Sequence, residues 1–453
     1  MPPTLEAATT LATKNTLLRL ATAGSVDDGK STLVGRLLHD TKSVLSDQLA
    51  AVEKVSRDRG LTTADLALLT DGLRAEREQG ITIDVAYRYF ATANRSFILA
   101  DCPGHVQYTR NTVTGSSTAD VVVLLVDARH GVLEQTRRHL AVVALLRVPH
   151  VIVAVNKIDL VDYSAEVYSQ VDSDVQKVAR ELGIPDAVTI PVSALEGDNI
   201  VERSERTPWY DGPALLQLLE ELPGADDPSD EDFRMPVQYV LRPQSAAPTS
   251  ELVDYRGYAG QVNAGVVTVG DEVVILPSGK RTHVEAIHIG EDDVVQAYAP
   301  QSVAVRLADD LDVSRGDVIA AVGNAPEPVK DFSALVAWLH EKPLRPGAKV
   351  FVKHGARTVK AIVDKVHRRL DLENLNLVDA DQLELNDIGR VTLRVASPLP
   401  VEPYVTSRRS GSFLVIDPPS GSTLAAGMVG VSTTWADLGT DEDVDSESDA
   451  WVI

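Results

Sequence analysis

Residues Gly24-Ser25-Val26-Asp27-Asp28-Gly29-Lys30-Ser31 fit the pattern G-x-x-x-x-G-K-[ST], which works only between a buried strand and a helix. Both flanks comply. Leu17 to Ala23 is a short apolar run, and after the loop Thr32, Leu33, Val34, Leu37 and Leu38 recur at helical spacing. The glycines let the backbone curl so that successive N–H groups point at a phosphate, with a helix dipole behind them. Gly24, Ser25, Val26, Asp27, Asp28, Gly29, Lys30, Ser31 and Thr32 are therefore the expected phosphate-binding residues. Lys30 is expected to reach the outer phosphates and Ser31 to hold Mg²⁺. The ligand class is a nucleoside triphosphate.

A chain of 453 residues exceeds one typical core and implies several domains. The first half alternates apolar runs (Phe97 to Ala100, Val121 to Val126, Val151 to Val155) with helical patterns at Gln135 to Leu146 and Ala165 to Leu182. That alternation predicts a doubly wound, mostly parallel α/β sheet ending in a helix at Leu215 to Leu222. Past an acidic linker at Pro223 to Asp232, short β-rich runs follow: Val237 to Leu241, Gly265 to Val269, Glu272 to Leu276 and Val303 to Leu307. They read as a small β-barrel or sandwich, with a second β-rich module beyond the divider at Gly323 to Pro328. Pro398 to Pro403 should mark a loop or an edge, because proline cannot donate to a central ladder. The expected organisation is an extension (1–15), an α/β domain (16–230), two β-barrels (231–328 and 329–435) and a disordered acidic tail (436–453).

Composition excludes some classes. One cysteine, Cys102, precludes an internal disulfide framework and cysteine-cluster zinc sites, and points to a reducing, cytoplasmic setting. The net charge of −23 disfavours a nucleic-acid backbone as the main partner. No apolar run is long enough for a membrane span, and residues 1–14 lack the plan of a secretory signal.

Asn156-Lys157-Ile158-Asp159, after the run Val151 to Val155, selects the base. The Asp159 carboxylate can accept from the N1–H and exocyclic amine of guanine, which adenine does not offer there. Asn156 should tie this loop to the phosphate loop, and the Lys157 stem should cover a base face. Ser193-Ala194-Leu195, after the strand-like Val188 to Val192, should aim backbone N–H groups at the guanine oxygen. Between these lies Asp101-Cys102-Pro103-Gly104-His105. Asp101 is placed for Mg²⁺ through water, Gly104 for the terminal phosphate and His105 for orienting an attacking water; Cys102 has no catalytic role. Thr82, within Arg77-Glu78-Gln79-Gly80-Ile81-Thr82-Ile83-Asp84, is the natural second protein ligand to Mg²⁺, in a segment ordered by the terminal phosphate. Together these imply GTP binding with hydrolysis.

With these motifs the chain resembles the translation-factor-like GTPases, which carry a histidine after Asp-x-x-Gly and two β-barrels after the GTPase domain. Gly257-x-x-Gly260, Val269-Gly270-Asp271-Glu272 and Arg315-Gly316-Asp317 look like turns of the first barrel. Where elongation factors usually read Gly-His-Val-Asp-His-Gly-Lys-Thr, this chain has Asp28 and Ser31. That form, the run Ala75 to Phe90, Asp254 to Gly260 and Lys353-His354-Gly355 resemble the GTPase (large) subunits of bacterial sulfate adenylyltransferases, from about residue 16 to 434. The resemblance implies a partner, as heterodimer or larger assembly: a small catalytic subunit that binds ATP and sulfate and makes adenosine 5′-phosphosulfate and pyrophosphate, driven by GTP hydrolysis here. Some relatives carry a fused adenylylsulfate kinase; with no second phosphate loop here, that kinase is expected on another polypeptide. A tRNA- or ribosome-binding translation factor is the alternative, disfavoured by Asp28, Ser31 and the acidic balance, and a GTP-gated scaffold is a third.

Replacing the base-reading carboxylate provides a test. Asp159→Asn should weaken guanine binding and favour xanthine nucleotides, whose exchanged edge suits an amide; competition binding with GDP and XDP reads the switch, and an unchanged preference removes Asp159 from the base.

Overall fold

The computed structural model describes residues 17–44, 46–58, 66–69, 84–105, 108–223, 228–246, 253–290 and 292–430. The N-terminal extension, Thr82 with the segment from Arg77 to Ile83, part of the acidic linker and the acidic tail lie outside the described residues. The chain divides into two compact units: residues up to Ala225 with Asp371–Asn376, and Asp226–Leu370 with the residues from Leu377 onward.

Among the described residues of the first unit, the elements are β1 (Leu17–Gly24), α1 (Lys30–Asp40), α2 (Ser46–Asp58), β2 (Ala86–Ala91), β3 (Ser96–Asp101) and α3 (Thr109–Ser116). They continue with β4 (Val121–Asp127), α4 (Glu134–Leu145), β5 (His150–Asn156), α5 (Ala165–Glu181), β6 (Ala187–Pro191) and α6 (Leu215–Glu221). The strands form one sheet in the order β2-β3-β1-β4-β5-β6. All neighbours are parallel except β2 and β3. Every residue of β4 is buried, as both faces of such a sheet must be covered. The register places Thr22 beside Asp101, Gly24 beside Leu125 and Asp127 beside Asn156. The carboxyl ends of β1, β3, β4 and β5 therefore meet along one edge, where the loops that follow can share a ligand.

Local chemistry explains the elements. At the start of α5 the Ser164 hydroxyl accepts from the Val167 N–H at 3.3 Å. Val171, Val175, Val178 and Ala179 then bury one face, and Gly183 follows the helix end with a left-handed φ of 67°. The antiparallel β2, unforeseen in the sequence, is an edge strand: Tyr87 and Tyr89 face outward while Phe90 stacks on Phe97 with ring centroids 4.6 Å apart.

The second unit is β-rich. One antiparallel sheet runs Arg234–Pro236, Val318–Ala321, Glu272–Leu276, Lys280–Ile289, Ser302–Leu307, Gly257–Gln261, Tyr239–Leu241, with Asp292–Val294 paired to Lys280–Ile289. Tyr258, Met235, Ile275 and Val305 lie in its core. Gly257-x-x-Gly260 is thus strand rather than turn: a Cβ on Gly260 would stand 2.3 Å from the Pro236 carbonyl oxygen, so the glycine permits close strand approach. Val269–Asp271 and Arg315–Gly316 do form turns. Val266–Thr268 and Gln296–Tyr298 pair as a separate two-stranded sheet, and a further sheet closes on itself. Its path is Lys349–His354, Ser412–Ile416, Thr423–Val429, Val329–Trp338, Ile388–Leu399, Arg357–Asp371, and the last pairs back with Lys349–His354. Pro398 falls inside the strand Ile388–Leu399, beyond Val395, where pairing with Arg357–Asp371 has ended, so its missing N–H costs no bond on that side.

Phe97 is 1% exposed in the sheet core, whereas Tyr89 on the next strand is 70% exposed. Phe97→Ala should cost about 3–5 kcal/mol. Tyr89→Ala should cost no more than about 0.5 kcal/mol. Urea unfolding of the purified chain measures both, and equal effects would contradict this core.

Candidate functional site

The phosphate loop leaves β1 at Gly24 and enters α1 at Lys30. Gly29 has a φ of 94°, and a Cβ there would lie 2.4 Å from Asn156 Nδ2, so both conformation and space require glycine. Inside the turn the Ser25 N–H donates to Asp28 Oδ2 at 2.7 Å, which holds the loop across its own mouth. The Ser25 Oγ is buried with no hydrogen-bond partner among the described residues. Lys30 Nζ donates to the carbonyls of Gly24 (2.9 Å) and Ser25 (2.7 Å) and so lies within the curl. Burial pulls the Lys30 pKa down, against the nearby Asp28 and Asp101 carboxylates. Burial likewise raises Asp28, against the Ser25 N–H bond. Val26 and Asp27 are exposed at the tip, and Ser31 and Thr32 are half-buried in the first turn of α1.

Asp101 ends β3, 2% exposed, and accepts from the Thr22 hydroxyl at 2.8 Å. The next residues pack inward. Burial pushes the Cys102 thiol up, and a Cβ on Gly115 would stand 2.3 Å from its sulfur. The Pro103 carbonyl accepts from the Thr112 hydroxyl at 3.3 Å. At Gly104 a Cβ would meet Lys30 Nζ at 2.3 Å and the Gly24 oxygen at 2.6 Å, so this backbone lies against the phosphate loop. His105 is exposed, its ring 6.0 Å from that of Tyr108.

The base loops close the site from the other side. Asn156 Nδ2 donates to the Asp28 carbonyl at 2.7 Å, and the Ala194 N–H donates to Asn156 Oδ1 at 3.0 Å. The Ala194 N–H is thus taken by the asparagine. Lys157 Nζ donates to the Asp27 carbonyl, and Ile158 is fully buried beneath the loop. Asp159 is partly exposed in a single 3₁₀ turn, Ile158–Val161. Ser193 bridges to Asp198, while Leu195 is 58% exposed. Arg36 of α1 donates to the carbonyls of Ala194 (3.2 Å) and Leu195, so this loop is anchored to the helix that the phosphate loop starts.

Residues outside every motif join the site. The Gly24 N–H donates to Nδ1 of the fully buried His139, whose Nε2 meets the Gln135 amide at 2.8 Å. Asp127, 3% exposed at the end of β4, pairs with Arg129 and Lys157. His139 carries no local signal, lying mid-helix; Asp127 does, as an acid closing the apolar run Val121 to Val126, the same pattern that marks Asp101.

Residues 15–225 match the family described as Elongation factor Tu GTP binding domain, and residues 331–430 match the GTP-eEF1A C-terminal domain-like family. A bifunctional enzyme CysN/CysC of Mycobacterium tuberculosis is 53% identical over 91% of this chain and 67% of its own length. The sulfate adenylyltransferase subunit 1 of Alteromonas mediterranea is 50% identical over 92% of this chain and 87% of its own, and that of Sulfurovum sp. is 46% identical over 93% and 89%. The solved structure of sup35 complexed with GDP aligns over 92% of this chain at 23% identity with a TM-score of 0.41, which adds nothing to the assignment. The chain belongs to the sulfate adenylyltransferase subunit 1 family.

Burial pushes His139 down to about 3, helped by the Lys30 and Arg138 charges. The folded state thus keeps His139 neutral while the unfolded chain protonates it below its ordinary pKa of about 6.5. This part of the stability is complete above pH 6.5 and is lost as pH falls from there towards 3. In urea unfolding, wild type should lose about 1 kcal/mol relative to His139→Gln between pH 7.5 and 5.5. Parallel pH profiles would place His139 outside the buried bond to Gly24.

Proposed function

We propose that this member of the family hydrolyses GTP as the regulatory subunit of an ATP sulfurylase. In this reading the cycle drives a smaller partner subunit to transfer the adenylyl group of ATP to sulfate, yielding adenosine 5′-phosphosulfate and pyrophosphate. The observation that carries the reading is the Asn156 amide, whose two bonds bring the phosphate loop and both base loops to one place. Asp159 would then accept from the guanine edge, Lys30 would neutralise the outer phosphates, and the Leu195 N–H would face the guanine oxygen. His105 would orient the attacking water. Pro103, pinned through Thr112, would steady the turn that presents Gly104 to the terminal phosphate. The enzyme is taken to work in the cytoplasm.

The oxygen donors beside the loop, the Ser31 hydroxyl and the Asp101 carboxylate, suit Mg²⁺, a hard cation that keeps most of its shell as water and substrate phosphate. Thr82 is assigned as the further ligand. When bound, the ion would offset phosphate charge. Asp101 is oriented for this by Thr22, and the protein supplies the remaining positive field through Lys30.

The phosphosulfate anhydride is strongly uphill to make, so coupling requires that the partner's states respond to which nucleotide this chain holds. Turnover in GTP, ATP and sulfate, with and without the small subunit, tests this. GDP, pyrophosphate and adenosine phosphosulfate should rise together, and only with both chains present. GTP turnover indifferent to ATP, sulfate and that subunit would overturn the coupling and leave a GTPase of another kind.

A further inference from the structure

Asp127 is a buried carboxylate that no nucleotide motif includes. It closes β4 directly beside Asn156 on β5. Arg129 grips it through Nε to Oδ1 (3.0 Å) and Nη2 to Oδ2 (2.6 Å), and the Arg129 N–H adds a third bond to Oδ1 at 3.0 Å. On its other side Oδ2 pairs with Lys157 Nζ at 3.0 Å. That same ammonium donates to the Asp27 carbonyl of the phosphate loop. Lys157 therefore runs from its left-handed backbone position, φ 62°, to two fixed acceptors on separate segments. Burial opposes ionisation of Asp127, yet the bonds from Arg129 and Lys157 outweigh it and hold the carboxyl well below its ordinary range. The arrangement is a charged peg that stays ionised at working pH.

A lysine stem has many rotamers, and a flat aromatic base gains most from a surface already in place. We propose that Asp127 is a positioning residue of the nucleotide site: clamped by Arg129, it fixes the Lys157 stem over the base and ties it to the phosphate loop. The proposal rests on the guanine-nucleotide reading of this site. It differs in kind from the role of Asp159. A stem lying on a base face reads no edge, so Asp127 governs how long any purine nucleotide stays and not which purine is chosen.

The test is the dissociation rate of fluorescently labelled GDP and IDP from the full chain. Asp127→Asn keeps the shape and removes the charge, and it should raise both rates about tenfold with their ratio unchanged, since loss of a buried charge partner acts on dissociation. In a Lys157→Met background the Asp127→Asn effect should vanish, because the carboxylate acts through that lysine. If Asp127→Asn does not fold, Arg129→Gln replaces it, with a rise of about threefold expected. Unchanged rates in a folded variant, a changed GDP-to-IDP ratio, or full additivity with Lys157→Met would each overturn the proposal. Wild-type protein that binds neither nucleotide would instead overturn the nucleotide reading itself.

Discussion

One side-chain amide holds the proposed nucleotide site together. Asn156 is 2% exposed, and at that depth its donor and its acceptor must both be satisfied. It does so by giving a hydrogen to the Asp28 carbonyl and taking one from the Ala194 N–H. Three loops far apart in the chain thereby share one geometry. The same contact explains a motif glycine: Gly29 faces Asn156 Nδ2 so closely that any side chain would displace the amide. The phosphate motif and the base motif are thus two halves of one packing constraint.

Charge is arranged around that frame. Lys30 is buried within the loop with Asp28 and Asp101 nearby, and Lys157 is pinned between Asp127 and the loop tip. The chain carries a net charge of −23, and at this place the two lysines are each held against buried carboxylates. Buried carboxylates stabilise these cations before any phosphate arrives and fix where their charge lies. Such preorganisation makes charge effective in a dry site.

Much of this was legible in the sequence because it is periodic or local. The apolar runs at β1, β3, β4, β5 and β6 were each located to within a residue or two, since strands in a sheet covered on both faces are mostly apolar, β4 without a break. The phosphate and base motifs lie at the strand ends where parallel topology sends ligands. What escaped was set by tertiary neighbours. β2 alternates weakly because it lies at an edge with two tyrosines exposed. Gly257-x-x-Gly260 has the composition of a turn but serves as a strand because the neighbouring backbone comes close. The strand through Pro398 survives because its partner on one side has already ended. His139 looks like any helical histidine until the Gly24 N–H is seen to point at it.

The claim beneath all of this is that the loops after β1, β3, β4, β5 and β6 build one site for a guanine nucleotide. Equilibrium titration of the purified chain with GDP and with ADP, in the presence of Mg²⁺, tests it most directly. The account predicts saturable GDP binding at least about a hundredfold tighter than ADP, because adenine offers the Asp159 carboxylate neither of the two N–H donors that guanine presents there. Comparable affinity for the two nucleotides, or a preference for ADP, would contradict it.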